Sequence, residues 1–321
     1  MREEVQAPGP PADFGAEKTG RAGVVTLGSL TAEVRQTLDG ALEAFGRDPH
    51  IYCAILRGRF DAVNATGGPV GGSKAALLAA YQSLWRIDRF SKPIVSLMAG
   101  QVAWPGLALV LTGTHKIADP AAVFSIRDTA GGGIPGWGAS YHLPALPRQL
   151  GLYLALTGAS IDSALAYELG WLTHRIAAEQ FAGIEAQLAN AEPVDQLLDQ
   201  LDEGPAVSAI EPYRAAIDRC FSAKTAEAIL ARLDGTAGAE ADWARTAAAA
   251  MRAAPPLALA ATHRLLTAHT QADLRNGLIL DHRIAVNGLA TAWPADHFDR
   301  LCAVPASGDA MLAVTRPPSI G

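Results

Sequence analysis

Apolar residues follow two different rhythms along this chain, and the change falls near residue 140. Before it, short apolar runs alternate with stretches of helical spacing. Residues 23–27 and 51–56 (IYCAIL) read as buried strands, the second closing at Arg57-Gly58. Residues 30–45 between them have a helical period behind a Ser29 or Thr31 cap. Residues 64–73, NATGGPVGGS, are too rich in glycine for either regular element and predict an irregular loop. Residues 74–90 predict a helix that must end before Lys92-Pro93, and 94–98 the next strand. Residues 116–118 and 123–125 are two further short strands. This alternation predicts stacked βαβ units.

Beyond residue 140 the strand signal almost vanishes. Residues 150–172, 177–203, 206–233, 238–253 and 256–290 predict alanine- and leucine-rich helices, broken at Glu203-Gly204-Pro205 and Pro255-Pro256. The expected architecture is α/β with an α-helical C-terminal region: a flexible tail over 1–21, an α/β core over 22–200, and helices over 201–321.

Composition narrows the partners. Of 321 residues, 50% are hydrophobic and 18% charged, enough apolar material for a sizeable core. A net charge of -6, with no basic stripe interleaved with aromatics, points away from nucleic acid. No apolar run reaches the roughly 18 residues of a membrane span, so no membrane partner is expected. The N-terminus is charged and proline-rich and lacks a signal-peptide core. Cys53, Cys220 and Cys302 lie far apart with no zinc-like spacing, and the histidines form no ligand pattern. A reduced, cytoplasmic location and no metal site are expected.

The chemistry concentrates in residues 97–141, LMAGQVAWPGLALVLTGTHKIADPAAVFSIRDTAGGGIPGWGASY. This reads as strand, tight turn, apolar helix, short strand, and a glycine-rich turn entering another helix. Two such turns facing one another can bind a polarised carbonyl. There is no GxSxG elbow and no phosphate loop.

Four segments carry a resemblance: AFGRDPHIYCAILRGR (44–59), the run from Ser91 to Asp128, GGGIPGWGASYHLPALP (131–147) and GLYLALTGASIDSALAYELGWLTHRI (151–176). In this order they resemble the crotonase superfamily, which includes enoyl-CoA hydratases, isomerases and 3-hydroxyisobutyryl-CoA hydrolases. The C-terminal helices look most like the hydrolase branch, and IPGWG more like the hydratase branch. The resemblance implies a spiral ββα core and an acyl-CoA thioester as binding partner. Coenzyme A then enters as part of the substrate with no separate cofactor, and a homo-oligomer, trimer or hexamer, is expected.

It also implies roles for single residues. Two backbone N–H groups would hold the thioester oxygen and stabilise the negative charge that develops there. By alignment the first belongs to Asn64; the second passes to Gly106 if that residue is displaced into the role of the aligned Pro105, with Asp128 as the acid/base and Ala62, Trp104, Pro105, Gly132 and Gly136 around the pocket. The chain departs from the family pattern at several of these positions. Pro105 aligns with the usual second donor, yet proline has no amide hydrogen. Ala108 stands where hydratases carry a glutamate, and Gly136 where hydrolases carry a second acid. Asp128 replaces a glutamate and is one methylene shorter, and Arg127 is placed to pair with it and hold its pKa low. Two readings follow: an enoyl-CoA hydratase/isomerase or 3-hydroxyacyl-CoA hydrolase type enzyme of weak activity, or a catalytically inactive protein that keeps the fold for binding or assembly.

Overall fold

Strand pairing starts earlier than the apolar pattern predicts. The computed structural model describes residues 14–28, 31–60, 74–268 and 273–288. Its first strand, β1 (Gly15–Thr19), runs antiparallel to β2 (Ala22–Leu27). These five residues fall inside the expected tail. GAEKT is mostly exposed and polar, so it carries no hydrophobic signal, and pairing with the buried β2 is what orders it. The turn between them requires glycine: at Gly20 φ is +55°, and a Cβ would lie 2.3 Å from the Ala189 carbonyl oxygen.

Helix α1 (Ala32–Arg47) is capped by Thr31, whose hydroxyl accepts from the Val34 N–H at 3.3 Å. Val34, Leu38, Leu42 and Phe45 form its buried stripe. After β3 (Cys53–Gly58) and α2 (Lys74–Asp88), the chain winds between two sheets. Strand β4 (Ile94–Met98) belongs to the larger sheet and β5 (Gln101–Ala103) to the smaller, followed by α3 (Gly106–Leu111). The next turn repeats the pattern with β6 (His115–Ala118) and β7 (Val123–Ser125), leading to α4 (Ala139–His142) and α5 (Leu150–Thr157). The last turn has β8 (Ser160–Asp162), α6 (Ser163–Glu168) and β9 (His174–Arg175). The larger sheet has the order β1-β2-β3-β4-β6-β9 and the smaller β5-β7-β8. This is the ββα spiral that the resemblance implies.

Period-two alternation distributes the strand residues over the two faces of the larger sheet. Val24, Ile55, Val95, Leu97 and Ile117 meet Ile184 and Leu188 of α7 (Phe181–Ala189) and Leu197 and Leu198 of α8 (Val194–Leu201). Val25, Leu56, Met98 and Ala118 face the main core instead. With both faces covered, the strands read as unbroken apolar runs.

The predicted helix over 150–172 is divided. Gly158, with φ at +64°, ends α5, and β8 precedes α6. Strands of two or three residues, as in β5, β8 and β9, have too few positions to show a period. The remaining helices are α9 (Arg214–Phe221), α10 (Ala226–Asp234), α11 (Ala241–Ala253), α12 (Pro256–Ala268) and α13 (Leu274–Gly288). Helices α9, α11 and α12 pack around α5, while α13 packs on α4 and α2.

Candidate active site

The Trp104-Pro105-Gly106 turn is fixed from both sides by main chain. Ala103 pairs with Ser125 in the small sheet, and the Trp104 N–H donates to the Ser125 carbonyl at 3.0 Å. On the other side the Ala103 N–H donates to the Phe60 carbonyl, also at 3.0 Å. Gly106 lies so close to Phe60 that an added Cβ would be 2.3 Å from the same oxygen. Pro105 immediately precedes α3, so its missing amide hydrogen leaves no helix acceptor unsatisfied. The Gly106 N–H opens that helix, where intrahelical acceptors do not exist.

Trp104 is 1% exposed and acts as a buried strut. Its indole N–H donates to the Gly136 carbonyl at 2.7 Å. Gly136 in turn sits against Tyr81 of α2, where a Cβ would lie 2.5 Å from the hydroxyl oxygen. The region in which a second acid would start at position 136 therefore holds the Tyr81 hydroxyl. Ala62 and Asn64 lie outside the described residues.

Asp128 follows Ser125 by three positions and opens a tight turn in which the Gly133 N–H donates to the Asp128 carbonyl at 2.9 Å. The Thr129 and Thr262 hydroxyls, 3.0 Å apart, pin this turn to α12. Asp128 keeps part of its surface accessible, yet burial pushes its carboxyl up to about 7. The expected pairing with Arg127 does not form: Arg127 is exposed and is not among the groups acting on the Asp128 carboxyl. Gly132, with φ at +84°, packs toward the Pro255 ring. The structure thus brings Trp104, Pro105, Gly106 and Gly136 together, with Asp128 close enough for its charge to act on Tyr81.

A second buried acid has no place in the sequence reading. Asp281 of α13 is 1% exposed, and burial raises its carboxyl to about 7. It accepts from the Gly138 N–H at 2.8 Å and from the Ser140 N–H at 3.4 Å. Beside it, the Tyr81 hydroxyl accepts from the Trp137 N–H at 3.1 Å, and the Tyr81 and Trp137 rings stack with centroids 5.3 Å apart. Burial, with the charges of Asp281 and Asp128, raises the Tyr81 hydroxyl well above its ordinary value. His142, edge-on to Trp104, is lowered to about 4 by burial and stays neutral at physiological pH. A sequence signal for Asp281 exists: it occupies the apolar stripe of Leu274, Leu278 and Ile284, where an acid is out of place.

The arrangement offers a carboxyl raised by burial to about 7 on a partly exposed residue, a helix-opening amide, and buried aromatic rings that lower the local dielectric. Groups of that kind can move a proton beside a polarised carbonyl.

Comparison with known proteins identifies the family to which the fold belongs. The model of the enoyl-CoA hydratase/isomerase family matches residues 25–299. A 3-hydroxyisobutyryl-CoA hydrolase of Arabidopsis thaliana is 31% identical over 265 residues, covering 75% of this chain and 69% of that protein. Among solved structures, an enoyl-CoA hydratase from Rhodobacter sphaeroides is 27% identical with a TM-score of 0.75, covering 86% of this chain and 85% of the other. A carnitinyl-CoA dehydratase from Mycobacterium thermoresistibile, 24% identical, shares the fold with a TM-score of 0.78 over 89% of this chain and 87% of its own. The chain belongs to the enoyl-CoA hydratase/isomerase family, within the crotonase superfamily.

Proposed function

We propose that the protein binds an acyl-CoA thioester and hydrolyses it, with a short 3-hydroxyacyl group as the acyl part. The observation that carries this reading is Asp128: a partly exposed residue whose carboxyl burial raises to about 7, in the turn three positions after Ser125, which pairs with Ala103 and accepts from the Trp104 N–H. The hydrolase names among the relatives and the buried Ala108, which offers no second acid on α3, favour hydrolysis over hydration.

In this mechanism water attacks the thioester carbonyl carbon while Asp128 takes its proton. The Gly106 N–H, together with the Asn64 N–H, receives the oxyanion. The C–S bond then breaks as the carbonyl re-forms, and Asp128 returns the proton to the departing CoA thiolate. The products are a carboxylic acid and CoA. No cofactor besides the CoA portion of the substrate is required.

The test is a panel of 3-hydroxyacyl-CoA and enoyl-CoA thioesters, assayed for thiol release and for hydration. Thiol release abolished by Asp128→Ala supports the reading, and release that survives it refutes the assignment. A second reading, a binding protein without turnover, is favoured by Pro105, which removes one amide donor from the turn. It predicts saturable acyl-CoA binding with no product from any member of the panel.

A further inference from the structure

Two left-handed residues stand in succession near the site, Trp137 with φ at +60° and Gly138 with φ at +89°. For tryptophan that conformation costs about 1–2 kcal/mol. The amides of both residues are taken by side chains from distant helices. The Trp137 N–H goes to Tyr81 of α2, and the Gly138 N–H goes to Asp281 of α13. Between these anchors and the catalytic turn lies one carbonyl, that of Gly136. It accepts both the Ala139 N–H at 3.0 Å and the Trp104 indole N–H at 2.7 Å.

Packing alone gives no reason for an acid at 281. The position lies on the apolar stripe of α13, and a leucine or asparagine there would avoid burying a charge. Yet one carboxylate oxygen serves two amides, while the other, Oδ1, is buried without a hydrogen-bond partner among the described residues.

We infer that Asp281 and Tyr81 are positioning residues for the candidate active site: they hold the 136–140 turn and, through the Gly136 carbonyl, hold Trp104 and the Gly106 amide that follows it. The geometric part stands independently, and its link to turnover rests on the reading proposed above. Ionisation of Asp281 strengthens its bonds to the two amides, because charge-assisted hydrogen bonds are shorter and stronger. Titratable groups on the elements packed against it include Tyr81 from α2, on whose hydroxyl its charge acts, Tyr141 and His142 from α4, and His282 from its own helix, whose ring meets Tyr81 edge-on at 5.5 Å; the charge of Asp128 also acts on Tyr81. Burial raises the Asp281 carboxyl, which puts the switch in strength within reach of ordinary buffers.

The full-length protein, labelled with ¹⁵N, tests this through the Trp104 indole and Gly138 amide resonances between pH 5 and 9. In the unmodified protein both move with a shared inflection near neutrality. Asp281→Asn keeps an acceptor of the same shape, and there the shared inflection disappears. Tyr81→Phe removes the acceptor of the Trp137 N–H and shifts the Trp104 indole resonance at every pH. In thiol-release assays with 3-hydroxybutyryl-CoA, Asp281→Asn lowers kcat roughly tenfold or more and leaves KM within about threefold, as expected for a misplaced site. A Trp104 resonance indifferent to both variants, or an inflection that persists in Asp281→Asn, overturns the inference. If the unmodified protein shows no turnover, the proposed function fails, and the resonances still decide the positioning role. If Asp281→Asn does not fold, the Tyr81→Phe shift decides alone.

Discussion

The indole N–H of Trp104 donates to the carbonyl of Gly136 across 2.7 Å, joining the turn that opens α3 to the turn that opens α4. The two turns come from successive windings of the spiral and have no strand pairing of their own. This bond ties the amide end of the site to its aromatic wall. Replacing Trp104 with phenylalanine keeps most of the bulk and leaves the buried Gly136 carbonyl one donor short. A loss of about 1–3 kcal/mol is expected, measured by urea unfolding.

Gly106→Ala tests the close approach of α3 to the chain leaving β3. The new methyl would stand 2.3 Å from the Phe60 carbonyl oxygen, a main-chain atom that cannot rotate away. Overpacking of this kind costs about 1–3 kcal/mol, and here it also pushes the Gly106 amide away from Phe60. Thermal unfolding should show the loss, and acyl-CoA affinity should fall with it.

Asp128 makes a prediction about pH with a definite sign. Its folded-state pKa, raised to about 7, exceeds the ordinary value of 3.8, so the native state holds its proton more tightly than the unfolded chain does. The contribution is fully present below about pH 4 and is lost as pH rises through 7. Asp128→Asn should therefore gain stability relative to the unmodified protein between pH 4 and 8. About 1–3 kcal/mol is expected, less than the full shift implies because the residue keeps part of its surface exposed to solvent. His142, lowered to about 4, acts with the opposite sign over the same range, and comparing the two proteins cancels it.

Arg127→Ala separates the structure from the sequence expectation. An ion pair with Asp128 would make the carboxyl more acidic and its loss visible. Arg127 is exposed and acts on no part of that titration. The pH dependence of thiol release should be unchanged in the variant, within about 0.3 of a pH unit.

Much of the fold is legible in the sequence because its strands are covered on both faces. IYCAIL and IVSLM are apolar runs, the second interrupted only by the buried Ser96, and each sends residues into both cores. What escapes is short or exposed: β1 is polar, and β9 has two residues. The site divides in the same way. The turns at Trp104-Pro105-Gly106 and after Phe124-Ser125 can be located from the apolar runs around them, while the roles of Gly106 and Asp128 come only from the family resemblance. The expected Arg127–Asp128 pair fails because sequence adjacency says nothing about direction. Asp281 is visible as an acid in an apolar stripe, but its partners Gly138 and Ser140 lie some 140 residues earlier, and no local pattern names them.

All eight residues of α5 are buried, and its flanks are supplied by α9, α11 and α12. A gene fragment ending near residue 200 would keep every described strand and still leave this leucine-rich cylinder facing solvent. Such a fragment would self-associate through the bared surface rather than behave as a minimal catalytic unit. Shortening the protein for expression would have to retain the chain through α13.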